Sequence, residues 1–247
     1  MASHDALRLH GTSHTWGEDL ALTYEGESPF VPTYLKLASA QRMELPDYEY
    51  ALYDGATRWR LENGLEESIL ARLGDPLFQR SAEHYTSHAQ TPFDHLTEYP
   101  AVIQQNNVAA IVFPLGASYY YHGYWIYREI FQRLVRTVLP ERLIETNAPL
   151  SAEISVTRQI AGANHPARWM VHIINFSPNL RTPEHTEYYE DPIALHHIWL
   201  ELAIPTSIAR AYTAVDGETL SFATNERGVR VEVPRIDVSA VVVLEEA

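Results

Sequence analysis

Residues 108–139 read VAAIVFPLGASYYYHGYWIYREIFQRLVRTVL. The first part, 108–114, is a short apolar run with β-branched residues and is predicted to be a buried strand. Gly116 and a tyrosine cluster follow. From 124 to 139, Tyr127, Ile130, Phe131, Leu134 and Val138 recur at spacings of three and four. That spacing predicts one apolar stripe of a helix, with Arg128, Arg133 and Arg136 mostly off the stripe and Pro140 as the stop. A buried strand feeding an amphipathic helix is one unit of a parallel α/β layer.

Working upstream, 65–73 is predicted to be a second helix with Gly74 as its C-terminal stop. Residues 48–53 (YEYALY) are predicted to form a strand bounded by Asp54-Gly55. Strand content before Tyr48 is poor, so the α/β region reads as partial, with its front half missing. Loss of partner strands would leave an open sheet edge, which predicts dimers or aggregates.

Downstream the period changes. Ile154 and Val156 alternate with polar neighbours, as do Trp169, Val171 and Ile173, and Ile198, Leu200, Leu202 and Ile204. Asp216-Gly217 is a hairpin signal between 209–215 and 219–224. Arg227-Gly228 marks a second turn before Val229, Val231 and Val233, and 238–244 closes the chain as a strand. Residues 181–191 are polar and predicted to be an exposed loop. Short strands with close turns predict an antiparallel β-sandwich. The expected fold class is therefore α/β plus all-β, as a partial α/β domain over 1–147 and a sandwich over 148–247.

Composition narrows function. The 247 residues carry a formal charge of -14, which repels phosphate backbones, so nucleic acid is not an expected partner. There is no polybasic run for an anionic membrane and no apolar stretch of spanning length. Cysteine is absent, which removes disulfides, thiol nucleophiles and Cys-ligated zinc. The first residues are polar and rich in His, without a signal-peptide core, so the chain taken as complete is expected in the cytoplasm. No cofactor is expected.

Three stretches, taken in order, carry a family resemblance. The first is Asp75-Pro76-Leu77-Phe78-Gln79-Arg80 with His84-Tyr85 and Ser87-His88-Ala89-Gln90-Thr91-Pro92. The second is Phe113-Pro114-Leu115-Gly116 with Tyr121-His122-Gly123 and Tyr127-Arg128-Glu129. The third runs from Arg168-Trp169 through Asn175-Phe176-Ser177-Pro178, and Tyr24-Glu25-Gly26-Glu27-Ser28-Pro29 fits upstream. Together they resemble the C-terminal portion of bacterial glycoside-hydrolase-like proteins related to α-L-fucosidases and to β-galactosidases with a trimerisation domain. The resemblance implies a flavodoxin- or amidotransferase-like α/β domain of trimerisation type, then a β-sandwich, with a (β/α)8 catalytic barrel preceding Met1. It implies a non-catalytic role in assembly and support, with a homo-oligomer or the missing barrel as partner. Where the family pattern has Tyr-Phe-Asn-Arg this chain has Leu77-Phe78-Gln79-Arg80, which puts any shared polar role of position 79 in doubt.

Glycoside hydrolysis needs two carboxyl groups roughly 5–9.5 Å apart across the sugar. No barrel strands here supply them, so no catalytic residue is assigned. Ligand-binding candidates are Arg80, His84, His88, Tyr121, His122 and Trp125. On a helix His84 and His88 would share a face, and Asp94 or His95 could complete a metal set with them; the alternative is a loop anchored by hydrogen bonds. A further alternative has this loop touching substrate at the mouth of the barrel. The aromatic run 119–125 is suited to stacking on a glycan, to an interface, or to the core. His196 and His197, placed in a strand, should point to opposite faces. A G-x-S-x-G elbow is absent, Gly116-Ala117-Ser118 lacking the second glycine. The rival functions are a carbohydrate-binding module and a small metal-dependent hydrolase.

Overall fold

The computed structural model describes residues 20–38, 44–62, 65–177, 180–181, 187–188, 191–214 and 216–247. The chain divides into two compact units, 1–140 and 141–247. The division lies ahead of the 147/148 boundary expected from the sequence, because strand β8 belongs to the second unit.

In the first unit the strands are β1 (Leu22–Glu27), β2 (Thr33–Leu37), β3 (Glu49–Leu52), β4 (Thr57–Leu61), β5 (Ile69–Pro76), β6 (Phe93–Gln105) and β7 (Val108–Ile111), followed by helices α1 (Leu115–His122) and α2 (Trp125–Val138). Five strands form one sheet in the order β3-β2-β5-β6-β7, and β1 pairs with β4. Every one of these pairings is antiparallel. The partial flavodoxin/amidotransferase-like α/β domain is therefore not what the sequence builds. The strand over 108–111 and the helix after it both exist, but β7 hydrogen-bonds antiparallel to β6. A βαβ unit needs a second parallel strand after the helix, and α2 is followed by none in this unit.

The helix expected over 65–73 is corrected to a 3-10 turn, Glu66–Ser68, leading into β5. β5 sits between β2 and β6 and is buried on both faces, with Ile69, Leu70, Ala71 and Leu73 all in the core. A doubly buried strand shows a continuous apolar run, which periodicity cannot tell from a helix. Gly74 caps nothing; it lies under Phe93, where a Cβ would stand 2.5 Å from a ring carbon. Strand content before Tyr48 is likewise richer than expected, since β1 and β2 both precede it.

α2 forms where its spacing predicts, burying Ile126, Tyr127, Ile130 and Leu134 against the sheet. Phe131 departs from the expected stripe and is 44% exposed. Tyr127 has a second task. Its hydroxyl accepts from Tyr53 N (3.4 Å) and donates to Ala51 O (3.2 Å), occupying two outward backbone groups at edge strand β3. An occupied edge resists further strand pairing. Burial pushes the Tyr127 phenol up to about 12. A raised value in the fold means the unfolded chain ionises first, so the stability it contributes is present below about 10 and is lost as pH rises toward 12. Tyr127→Phe is expected to cost about 1–2 kcal/mol at neutral pH through the orphaned backbone groups. It should also flatten the alkaline decline in urea midpoint between those two pH values.

The second unit contains β8 (Ile144–Thr146), β9 (Ala152–Gln159), β10 (Arg168–Asn175), β11 (Leu180–Arg181), β12 (Glu187–Tyr188), β13 (Leu195–Leu202), β14 (Ile208–Thr213), β15 (Phe222–Thr224), β16 (Val229–Ile236) and β17 (Ser239–Glu246). Two four-stranded sheets, β14-β17-β10-β9 and β15-β16-β13-β8, contribute Val171, Ile173, Val242 and Leu244 from one and Ile198, Leu200, Val229 and Val231 from the other to one core. The predicted antiparallel sandwich is present, and the alternation read from the sequence is its inward face. β11 and β12 pair as a small ladder within the stretch expected to be a loop, of which 182–186 and 189–190 lie outside the described residues. The turn at Asp216-Gly217 closes only a short hairpin, with Leu220 N bonded to Ala211 O, before β15 joins the other sheet.

His196 and His197 do not lie on opposite faces as a regular strand would place them. His197 has a positive φ of 51°, and both residues are exposed between core-packed Leu195 and Ile198. One left-handed residue shifts the alternation by a step. His197 Nδ1 meets Glu232 Oε1 at 2.7 Å.

Candidate functional site

The polar side chains that the fold gathers at the α1–α2 corner start from the turn after β3. Gly55, at φ 76°, lets the chain turn sharply, and the turn presents Asp54 beside α1. Ser118 and His122 are four residues apart and so share one face of α1. Ser118 Oγ donates to Asp54 Oδ2 (2.6 Å), and His122 Nε2 lies 3.1 Å from both carboxylate oxygens. Burial alone would raise the Asp54 carboxyl, but the hydrogen bonds from Ser118 and His122 outweigh it and hold the group below its usual value.

Aromatic rings surround this cluster. Tyr53 packs on the His122 ring at 5.0 Å and on Tyr124 at 6.0 Å. Tyr124 meets Trp125 at 6.4 Å, Trp125 meets Tyr50 at 6.0 Å, and Tyr50 meets Tyr48 at 6.2 Å. α1 ends because Gly123 takes a left-handed conformation and its N–H returns to Tyr119 O, which sets Tyr124, in extended backbone, as the N-cap of the next helix.

This arrangement is not a serine nucleophile. The proton of Ser118 points to a carboxylate rather than to the imidazole, and Ser118 is 2% exposed. A base must reach the hydroxyl proton it removes.

The remaining candidates lie on loop 77–92, between β5 and β6. Its base is closed by Leu77 N to Pro92 O (3.0 Å) and Thr91 Oγ1 to Phe78 O (2.7 Å). Gln79, whose polar role the sequence left in doubt, uses its amide both ways on Val31, accepting from N at 2.9 Å and donating to O at 2.8 Å. Arg80 lies over the Tyr85 ring at 4.8 Å, and Phe78 packs on His84 at 5.7 Å. His84 and His88 are in irregular chain, not on one helical face. His95, on β6, pairs with Asp94 at 2.8 Å. Among the described residues no three of His, Asp and Glu converge to hold a metal ion, so the His84, His88 and His95 set is not assembled.

A nearby open cleft of about 830 Å³ is lined by Arg60, Glu62, Glu66, Arg72 and Glu98 among others. Its cations are occupied: Arg60 pairs with Glu25 (2.5 Å) and Glu98 (3.5 Å), and Arg72 with Glu66 and with Glu98 O (2.7 Å).

The six candidates thus fall on two elements, with Arg80, His84 and His88 on the loop and Tyr121, His122 and Trp125 at the helical corner. Sequence reasoning missed Asp54, Ser118 and Tyr53. Asp54 and Ser118 carried signals, but only as a turn and as a failed elbow. Nothing in the sequence joins residues 64 and 68 positions apart.

No protein-family model matches this sequence, and no curated protein matches it. Among solved structures, the chain is similar to α-L-fucosidase isoenzyme 2 from Paenibacillus thiaminolyticus, with a TM-score of 0.78 and 24% identity over 92% of this chain. The match spans 34% of that chain, so this protein covers about a third of its structural neighbour's length. At this identity the likeness is one of fold.

Proposed function

We propose that this chain is an accessory, non-catalytic region of a glycoside-hydrolase-like protein, serving assembly and support of a (β/α)8 catalytic barrel. The observation that carries the reading is coverage: nearly the whole chain, 92%, shares its fold with a fucosidase, yet only 34% of the fucosidase is needed to match it. The architecture is consistent with this. Among the described residues every sheet pairing is antiparallel, whereas a (β/α)8 barrel carries its chemistry at the ends of parallel strands. The exposed loop 77–92, pinned at its base and carrying Leu77, Arg80 and Tyr85 outward, suits contact with another subunit or domain.

Incubating the purified chain with 4-nitrophenyl α-L-fucoside and β-D-galactoside tests the reading. The expected result is release of nitrophenol no faster than in buffer, together with a light-scattering mass above that of one chain. Turnover that scales with protein concentration would overturn the non-catalytic role, and a clean monomer at high concentration would overturn the assembly role.

A further inference from the structure

We infer that Asp54, with His122 and the tyrosine rings beside it, forms a binding site for a neutral saccharide bearing adjacent hydroxyls. Three observations carry this. The carboxylate is fixed but not consumed: Ser118 and His122 hold it, while its side chain keeps 35% of its surface exposed. Oδ1 has only the His122 ring as a described partner, at 3.1 Å, so it retains acceptor capacity toward solvent. A carboxylate oriented in advance by fixed donors loses little freedom when it accepts from a ligand.

The second observation is the surrounding surface. The His122 ring, tilted against Tyr53, lies beside the carboxylate, and Tyr121, next to His122 at the end of α1, is 64% exposed. Trp125, in contact with Tyr124 beside Tyr53, adds a further exposed ring at 40%. Aromatic rings offer an apolar face to the C–H side of a sugar, while a carboxylate and an imidazole take its hydroxyls. The third is access. A Cβ built on Gly123, next to His122, would meet nothing within 4 Å, so the backbone beside that ring is open.

Charge selects the ligand class. An ionised Asp54 in a chain of net charge -14 disfavours phosphorylated or uronic sugars, which leaves neutral ones. One hydroxyl donates to Oδ1, and its neighbour meets the second nitrogen of His122. The choice of test sugars rests on the accessory reading above; the site itself rests on its own geometry.

The experiment is a ¹⁵N–¹H NMR titration of the full chain with methyl α-L-fucopyranoside, methyl β-D-galactopyranoside and, separately, tetramethylammonium. A sugar is expected to bind with a Kd of about 1–10 mM, moving amides at 53–54 and 118–125. Asp54→Asn should weaken it at least about tenfold, and Tyr121→Ala about fivefold. Phe131→Ala, exposed on α2, should leave affinity unchanged. Tyr121→Ala decides the matter if Asp54→Asn disturbs folding, because an exposed ring is not part of the core. No shifts with either sugar, shifts mapping elsewhere, a folded Asp54→Asn or Tyr121→Ala of unchanged affinity, or binding of tetramethylammonium alone would each overturn the site. A silent titration leaves the accessory role standing, and nitrophenol release leaves the saccharide site standing, so the two failures are separable.

Discussion

Replacing Gly228 with alanine is expected to destabilise the C-terminal sandwich by about 4 kcal/mol, lowering its thermal transition by roughly 20 °C. Gly228 joins β15 to β16 at φ 150°, a conformation that side-chain-bearing residues rarely adopt. A Cβ there would stand 2.0 Å from Leu202 O and 3.0 Å from Ile204 N. Both contacts are backbone, so no rotamer change relieves them. Relief requires β13 to move off β16, and β13 carries Ile198, Leu200 and Leu202 into the core. The turn cannot shift instead, because Asn225 Oδ1 accepts from both Arg227 N (2.9 Å) and Gly228 N (3.0 Å). Differential scanning calorimetry checks the outcome; a shift of only a few degrees would show that the approach of the two strands is not as tight as described.

The second large effect is expected in the first unit. Arg58 Nη2 contacts both Asp75 carboxylate oxygens, at 2.8 and 2.7 Å, and its guanidinium lies against the Tyr99 ring at 5.1 Å. The two side chains are only 20% and 12% exposed. Asp75→Asn leaves a guanidinium in that partly buried place without its counter-charge, at a cost of about 3 kcal/mol. The double substitution Arg58→Met with Asp75→Leu removes both charges and should recover most of the loss, since an apolar pair of similar bulk avoids desolvation. Urea denaturation of the single and double variants separates the two cases. A double variant no better than the single would mean that the loss does not come from an unpaired, partly buried charge.

The local elements were legible wherever a short-range pattern was unambiguous. Helix α2 announced itself by spacing and by Pro140, and the sandwich by alternation and its turns. β5 was misread because burial on both faces erases the period that distinguishes a strand from a helix. β1 went unseen because Leu22 alone of its residues is buried, and β2 because its buried positions run on from Thr33 to Leu35, so neither shows an alternation. The His196-His197 step was misread because one positive φ reverses a strand's faces, and no residue type there demands it. At the helical corner, Tyr121, His122 and Trp125 could be named from a dense aromatic run. Asp54 could not be joined to them, since a turn residue acquires its partners only when β3 and α1 pack.

By itself the sequence determined the inward faces of the sandwich, the helix after the buried strand, and, from its lack of cysteine, the absence of any disulfide or thiol chemistry. These depend on patterns a few residues long and on totals. Only the tertiary structure decided that the first unit is antiparallel rather than α/β, that His84, His88 and His95 do not gather into a metal set, and that a carboxylate stands among the rings. Strand direction and side-chain meeting are set by which distant segments bury each other, and hydrophobic burial, being non-directional, leaves no local mark of that choice.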